Sequence, residues 1–127
     1  MNSIFRTRGF TLIELVVVMA IVALLISIAV PRYMGTLDRS KETTLRQTLA
    51  VTRDAIDKFY NDTGKYPDDL TTLVTRRYLR SLPVDPITGS NSTWTTVAGE
   101  DPEKGRVHDI RSGAEGTSRD GVAFRNW

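Results

Sequence analysis

Residues 15–30 read LVVVMAIVALLISIAV, sixteen positions with no charge and one hydroxyl, on Ser27. Counting back to Phe10 gives 21 residues ahead of Pro31. A helix rises about 1.5 Å per residue, so this stretch is long enough to cross a bilayer core of about 30 Å. Arg6 and Arg8 precede it and no acidic residue does. Basic flanks stay on the cytoplasmic side, which puts the N-terminus inside and the bulk of the chain outside.

Three processing fates compete for such a segment. A secretory signal has an apolar region of about 7 to 15 residues, then a small-x-small cleavage site, and Ser27-Ile28-Ala29 fits that site. A plain membrane anchor is the second. The third is a leader cut ahead of the apolar stretch, so that the stretch stays in the mature protein. Glu14 favours the third. A carboxylate costs about 2.5–3.5 kcal/mol at the centre of a membrane helix and less near an end. A signal or a simple anchor gains nothing from it. A subunit whose N-terminal amine must be paired inside a bundle does gain, because a buried charge is tolerated when paired.

Arg8-Gly9-Phe10-Thr11-Leu12-Ile13-Glu14 resembles the prepilin peptidase recognition motif of type IV pilins and type II secretion pseudopilins. Gly precedes the cut, Phe follows it, Glu stands at the fifth mature position, and the family's proline at mature position 22 falls on Pro31. The resemblance implies cleavage between Gly9 and Phe10 and methylation of the Phe10 amine. It also implies that Glu14 neutralises the amine of an adjacent subunit. Residues 1–9 are then the leader, 10–31 the transmembrane and polymerisation segment, and 32–127 a periplasmic domain.

Pro31 lacks an N–H and is expected to kink the helix, or to melt it locally on assembly, rather than end it. A helical pattern resumes from residue 37 to residue 60, with Leu45, Leu49, Ile56, Phe59 and Tyr60 at three- and four-residue spacing. Asn61-Asp62-Thr63-Gly64 breaks it. A second helix is predicted from Pro67 to about Arg77, because proline suits a first turn and Asp68 and Asp69 suit a helix N-terminus. Residues 84–89 read as a loop. Residues 93–97 and 106–110 read as two paired strands joined by a turn-rich connection. The Gly-containing tail from Ser112 reads as loop. The remaining core material is sparse, so a thin domain is expected to need the long helix or neighbouring subunits to complete its core.

Asp57-Lys58-Phe59-Tyr60, Asn61 to Pro67, Leu82-Pro83-Val84-Asp85-Pro86 and the closing Asn126-Trp127 resemble the major pseudopilin family of type II secretion (general secretion pathway protein G). The resemblance covers most of the chain and is weakest between Ser90 and Arg106. The expected fold class is α+β and pilin-like. A long N-terminal helix, half transmembrane and half amphipathic, packs on a small C-terminal domain with a short antiparallel sheet.

The family's C-terminal loop usually binds calcium through acidic side chains and backbone carbonyls, and calcium takes about six to eight oxygens. In the corresponding loop here, Ser112, Glu115, Thr117, Ser118 and Asp120 carry candidate oxygens. Where the family commonly has adjacent acids, this chain has Arg119-Asp120. The guanidinium offers the alternative of pairing with Glu115 or Asp120 and holding the loop without metal.

Nothing in the chain assembles a catalytic constellation. His108 is the single histidine, cysteine is absent, and no Gly-rich loop opens a helix to cradle a phosphate. Removing residues 1–9 takes Arg6 and Arg8 from the 17 Lys and Arg, leaving 15 against 15 Asp and Glu. That balance does not support a nucleic-acid partner. Arg76, Arg77 and Arg80 form a small basic cluster, read as a solvated face or a contact with a neighbour's acids or lipid head groups. The resemblance implies a non-enzymatic subunit of a pseudopilus that drives protein export. Its partners would be like subunits, minor pseudopilins, prepilin peptidase, an inner-membrane assembly platform and membrane lipid. The alternative is a type IV or minor pilin of a surface or DNA-uptake filament.

Overall fold

The computed structural model describes residues 8–127, so the expectations on Arg6 and most of the leader lie outside the described residues. The chain divides into two units, Met1–Leu37 and Asp38–Trp127. One helix, α1 (Leu12–Thr63), supplies 52 residues and continues through Pro31. Pro31 has no N–H to give to the Ser27 carbonyl, so one helix bond is missing there. The hydroxyl of Ser27 is satisfied within the helix, donating to Ala23 O at 2.8 Å.

Among the described residues, the first unit buries no side chain to form a core of its own. Its apolar side chains are exposed on every side of the helix, with Leu24 at 62 % and Leu25 at 60 %. A helix that is apolar all round is stable only when another medium or other chains cover it. In the second unit the same helix becomes one-sided. Leu45, Leu49, Thr52, Ala55, Ile56 and Phe59 are buried, at the three- and four-residue spacing that aligns side chains on one face. Thr52 is tolerated in this stripe because its hydroxyl donates to Thr48 O at 2.8 Å. Tyr60, also expected on the stripe, sits half-buried at its edge and stacks on Tyr66 with ring centroids 4.4 Å apart.

Opposite the stripe lie Leu73, Val107, Ile110, Ala114 and Phe124. Leu73 comes from α2 (Leu70–Thr75), which is shorter than the sequence predicts. Its N-cap is Asp69, whose carboxylate accepts from Thr72 N at 2.7 Å and from the Thr72 hydroxyl at 2.8 Å. Pro67 does not open this helix. It is buried ahead of it, and its carbonyl accepts from Val107 N at 3.0 Å. The chain leaves α2 through Arg77, which takes the left-handed conformation at φ 65°.

Strands β1 (Thr95–Val97) and β2 (Asp109–Arg111) pair antiparallel, with Thr95 opposite Arg111, Thr96 opposite Ile110 and Val97 opposite Asp109. The second strand starts later than predicted because the backbone of Val107 is occupied by Pro67. The connection holds a 3₁₀ turn, Pro102–Lys104, which ends at Gly105 with φ 104°. A Cβ there would collide with the Tyr66 carbonyl, so glycine is required both by φ and by space. Arg53 of α1 clamps β2 in place, with Nε donating to Asp109 Oδ1 at 2.8 Å and Nη2 donating to Ile110 O at 2.9 Å. The indole N–H of Trp94 finds its acceptor at Pro83 O, 2.7 Å away.

The capping bonds from the Thr72 hydroxyl and N–H hold the Asp69 carboxyl below the usual carboxylate range. A group with a lowered folded pKa adds stability above its unfolded pKa and loses it as pH falls through the folded value. Acidification through that range should therefore reduce hydrogen-exchange protection of the Thr72 amide. Asp69→Ala should show low protection at neutral pH and no acid step. Wild-type protection that stays flat through the titration would contradict the assignment.

Candidate functional site

Arg8, Gly9 and Phe10 are exposed and lie outside the helix. Among the described residues, a Cβ placed on Gly9 meets nothing within 4 Å, so their packing does not call for glycine there. The helix begins one residue after Thr11, and Thr11 and Glu14 close its start on each other. Glu14 N donates to Thr11 Oγ1 at 3.3 Å, and Thr11 N donates to Glu14 Oε2 at 3.4 Å. This reciprocal pair is a capping box, which satisfies two backbone donors that a helix start leaves free. Glu14 therefore has a local role that the sequence reading missed, although the Thr-x-x-Glu spacing was the signal for it. Among the described residues, the hydrogen bonds to this carboxylate come from Thr11 alone. Phe10, Ile13, Val17 and Val18 surround it with an open apolar surface.

The residues singled out near the C-terminus are dispersed. Ser112 is fully buried, and its hydroxyl donates to Asp85 Oδ2 at 2.6 Å while accepting from Ala114 N at 3.1 Å. Asp85, equally buried, also accepts from Ile87 N at 2.8 Å, so neutral donors hold this carboxylate. Ser118 is turned inward, and its hydroxyl accepts from Val122 N at 3.3 Å. Glu115 lines a depression beside Thr95 and Arg125, whereas Ser118 lines a different one beside Asp38 and Glu42; Thr117 borders both. Asp120 faces Arg46 of α1 at 3.7 Å rather than Arg119. Among the described residues, no three acidic or histidine side chains are grouped to hold a metal ion.

His108 is exposed at the rim of an open groove and meets Tyr66 edge-on at 4.9 Å. Asp109 beside it points to Arg53, so the two do not act on one group. Arg76, Arg77 and Arg80 are exposed.

An apolar helix headed by one carboxylate, followed in the same helix by the spine of a small α+β domain, defines a pilin-like subunit. The family model described as the prokaryotic N-terminal methylation motif matches residues 4–30. Fimbrial protein EcpC of Eikenella corrodens is 32% identical over 120 residues, covering 90% of this chain and 77% of the relative. Type II secretion system core protein G of Klebsiella michiganensis is 27% identical over 136 residues, covering 94% and 92%. The core protein G of Pseudomonas aeruginosa is 33% identical over 97 residues, covering 64% and 68%. No solved structure matches the chain significantly. The chain belongs to the pilin-like superfamily and, within it, to the type II secretion core protein G family of pseudopilins.

Ser112→Ala should destabilise the full-length protein in detergent by about 2–3 kcal/mol, because a buried carboxylate oxygen and the Ala114 N–H both lose their partner. Thermal unfolding measures this, and a melting temperature equal to wild type would rule out the Asp85–Ser112 contact.

Proposed function

We propose that this chain is a structural subunit of a periplasmic pseudopilus that drives protein export through a type II secretion system. The observation that carries the reading is the first half of α1, an apolar surface exposed all round with a single carboxylate at its head. Such a surface has two favourable environments, lipid and a bundle of like helices. The carboxylate is costly in the first and useful in the second.

On this reading a prepilin peptidase hydrolyses the Gly9–Phe10 bond, in an exposed segment outside the helix, and the freed Phe10 amine is methylated. Residues 10–31 wait in the inner membrane with the N-terminus cytoplasmic, and residues 32–127 lie in the periplasm. On an inner-membrane assembly platform the helix moves from lipid into a bundle. There Glu14 gives up its weak bond to Thr11 and pairs with the Phe10 amine of a neighbour. That exchange replaces a poorly paired carboxylate by a charge pair in a low-dielectric setting, which sets the axial register of adding subunits. Pro31 supplies a point where the helix can give as it packs. The assembly contacts are heterologous and repeat without closing into a ring, which makes a filament of like subunits tipped or joined by minor pseudopilins. The role is non-enzymatic.

The similarity to a fimbrial protein over most of its length favours a second reading, a type IV or minor pilin of a surface or DNA-uptake filament. Both readings share the processing step and differ in whether the filament is displayed outside the cell.

In a host with a prepilin peptidase, the intact mass should equal residues 10–127 plus one methyl group. A mass beginning near Val30, or the uncut chain, would mean a secretory signal or a plain anchor. Glu14→Gln should leave cleavage and the melting temperature of the domain nearly unchanged. It should, however, abolish filaments scored by shearing and electron microscopy. Filaments formed normally by that variant would sink the register role of Glu14.

A further inference from the structure

We propose that the C-terminal loop of this domain is clasped shut by Glu42 and Arg46 of α1 and folds without a metal ion. The two side chains are four residues apart, on one side of the helix. Glu42 Oε1 accepts from the backbone N–H of Arg119 at 2.7 Å, a contact between residues 77 apart in sequence. Arg46 reaches two groups at once. Its Nη2 lies 3.7 Å from Asp120 Oδ2, and its guanidinium stands over the Trp127 ring at 4.6 Å from the centroid. Trp127 in turn meets the buried Phe124 edge-on at 5.4 Å. One turn of α1 thus holds the middle and the end of the loop together.

The loop's own backbone closes the rest. Thr117 bridges to Ala123, Ser118 N donates to Val122 O at 2.8 Å, and Gly121 N donates to Ser118 O at 3.0 Å. Phe124 N donates to Gly116 O at 3.2 Å. The carbonyls of Gly116 and Ser118 each accept a bond from within the loop. The Ser112 hydroxyl is committed to Asp85. Asp120 has a guanidinium beside it, which repels an approaching dication. Arg119 contributes its N–H, not the side-chain pairing that the sequence suggested. The exposed Arg46–Asp120 pair is the weaker strut, and the carboxylate-to-amide bond from Glu42 is the stronger one.

This inference concerns the domain alone and stands whether or not the chain polymerises. Its test uses the full-length protein in detergent, with exchange of the Arg119 amide and thermal unfolding followed in calcium chloride and in excess EGTA. Wild type should give the same exchange rate and melting temperature in both. Glu42→Ala should speed Arg119 exchange roughly five- to ten-fold, the loss of one carboxylate-to-amide bond, with no recovery on adding calcium. Arg46→Met, which keeps the stem but removes the charge, should red-shift the Trp127 emission. The proposal is overturned if EGTA accelerates Arg119 exchange and calcium restores it, or if Glu42→Ala leaves that rate unchanged.

Discussion

The stripe that α1 presents between Leu45 and Phe59 is the packing surface on which the domain is built. Its partners are too small to stand alone. The strands are three residues each and α2 has six. Two-stranded ribbons and single helical turns are at best marginal in water. They persist here because Leu73, Val107, Ile110, Ala114 and Phe124 close on one preformed helical face. Arg53 then pins β2 to that face by bonding both a side chain and a backbone carbonyl. The second half of α1 is therefore a structural necessity for the domain.

One helix obeys two rules along its length. Between Leu12 and Met34 apolar side chains point in all directions, whereas from Leu45 to Phe59 the buried ones gather on one face. The change is in composition and not in backbone geometry, since the 3.6-residue period is the same throughout. What differs is how much of each half's apolar surface the chain itself covers. Glu14 belongs to the first half, and its capping box with Thr11 gives the carboxylate a modest local partner.

At the other end of the chain, polar contacts take the place of core. Asp85 and Ser112 are fully buried, and each is satisfied by the other and by backbone N–H groups. Buried polar pairs of this kind contribute little net energy when made and cost heavily when broken, so they act on the uniqueness of the fold. They tie the loop after Pro83 to the segment that follows β2. Gly113 next door has a similar constraint, since a Cβ on it would run into the Thr93 carbonyl.

The sequence by itself determined the elements whose signals are local and periodic. The apolar run, its continuation past Pro31, the stripe at Leu45, Leu49, Ile56 and Phe59, and the two paired strands were all legible, because side-chain spacing alone specifies which face is apolar. The motif around Gly9, Phe10 and Glu14 was legible through its resemblance to known pilins, and the N-terminal methylation motif spans it. The tertiary structure alone decided the features that depend on partners distant in sequence. The late start of β2 follows from Val107 being claimed by Pro67. The late start of α2 follows from Asp69 taking the N-cap, two residues beyond the Pro67 expected in the first turn. Ser112 faces Asp85, 27 residues away, and Arg119 is held by Glu42, 77 residues away. An oxygen-bearing side chain in a loop looks the same in sequence whether it points to a cation, to solvent or to a buried carboxylate. Which of these it meets is set by how the chain folds back, and residue spacing carries no record of that.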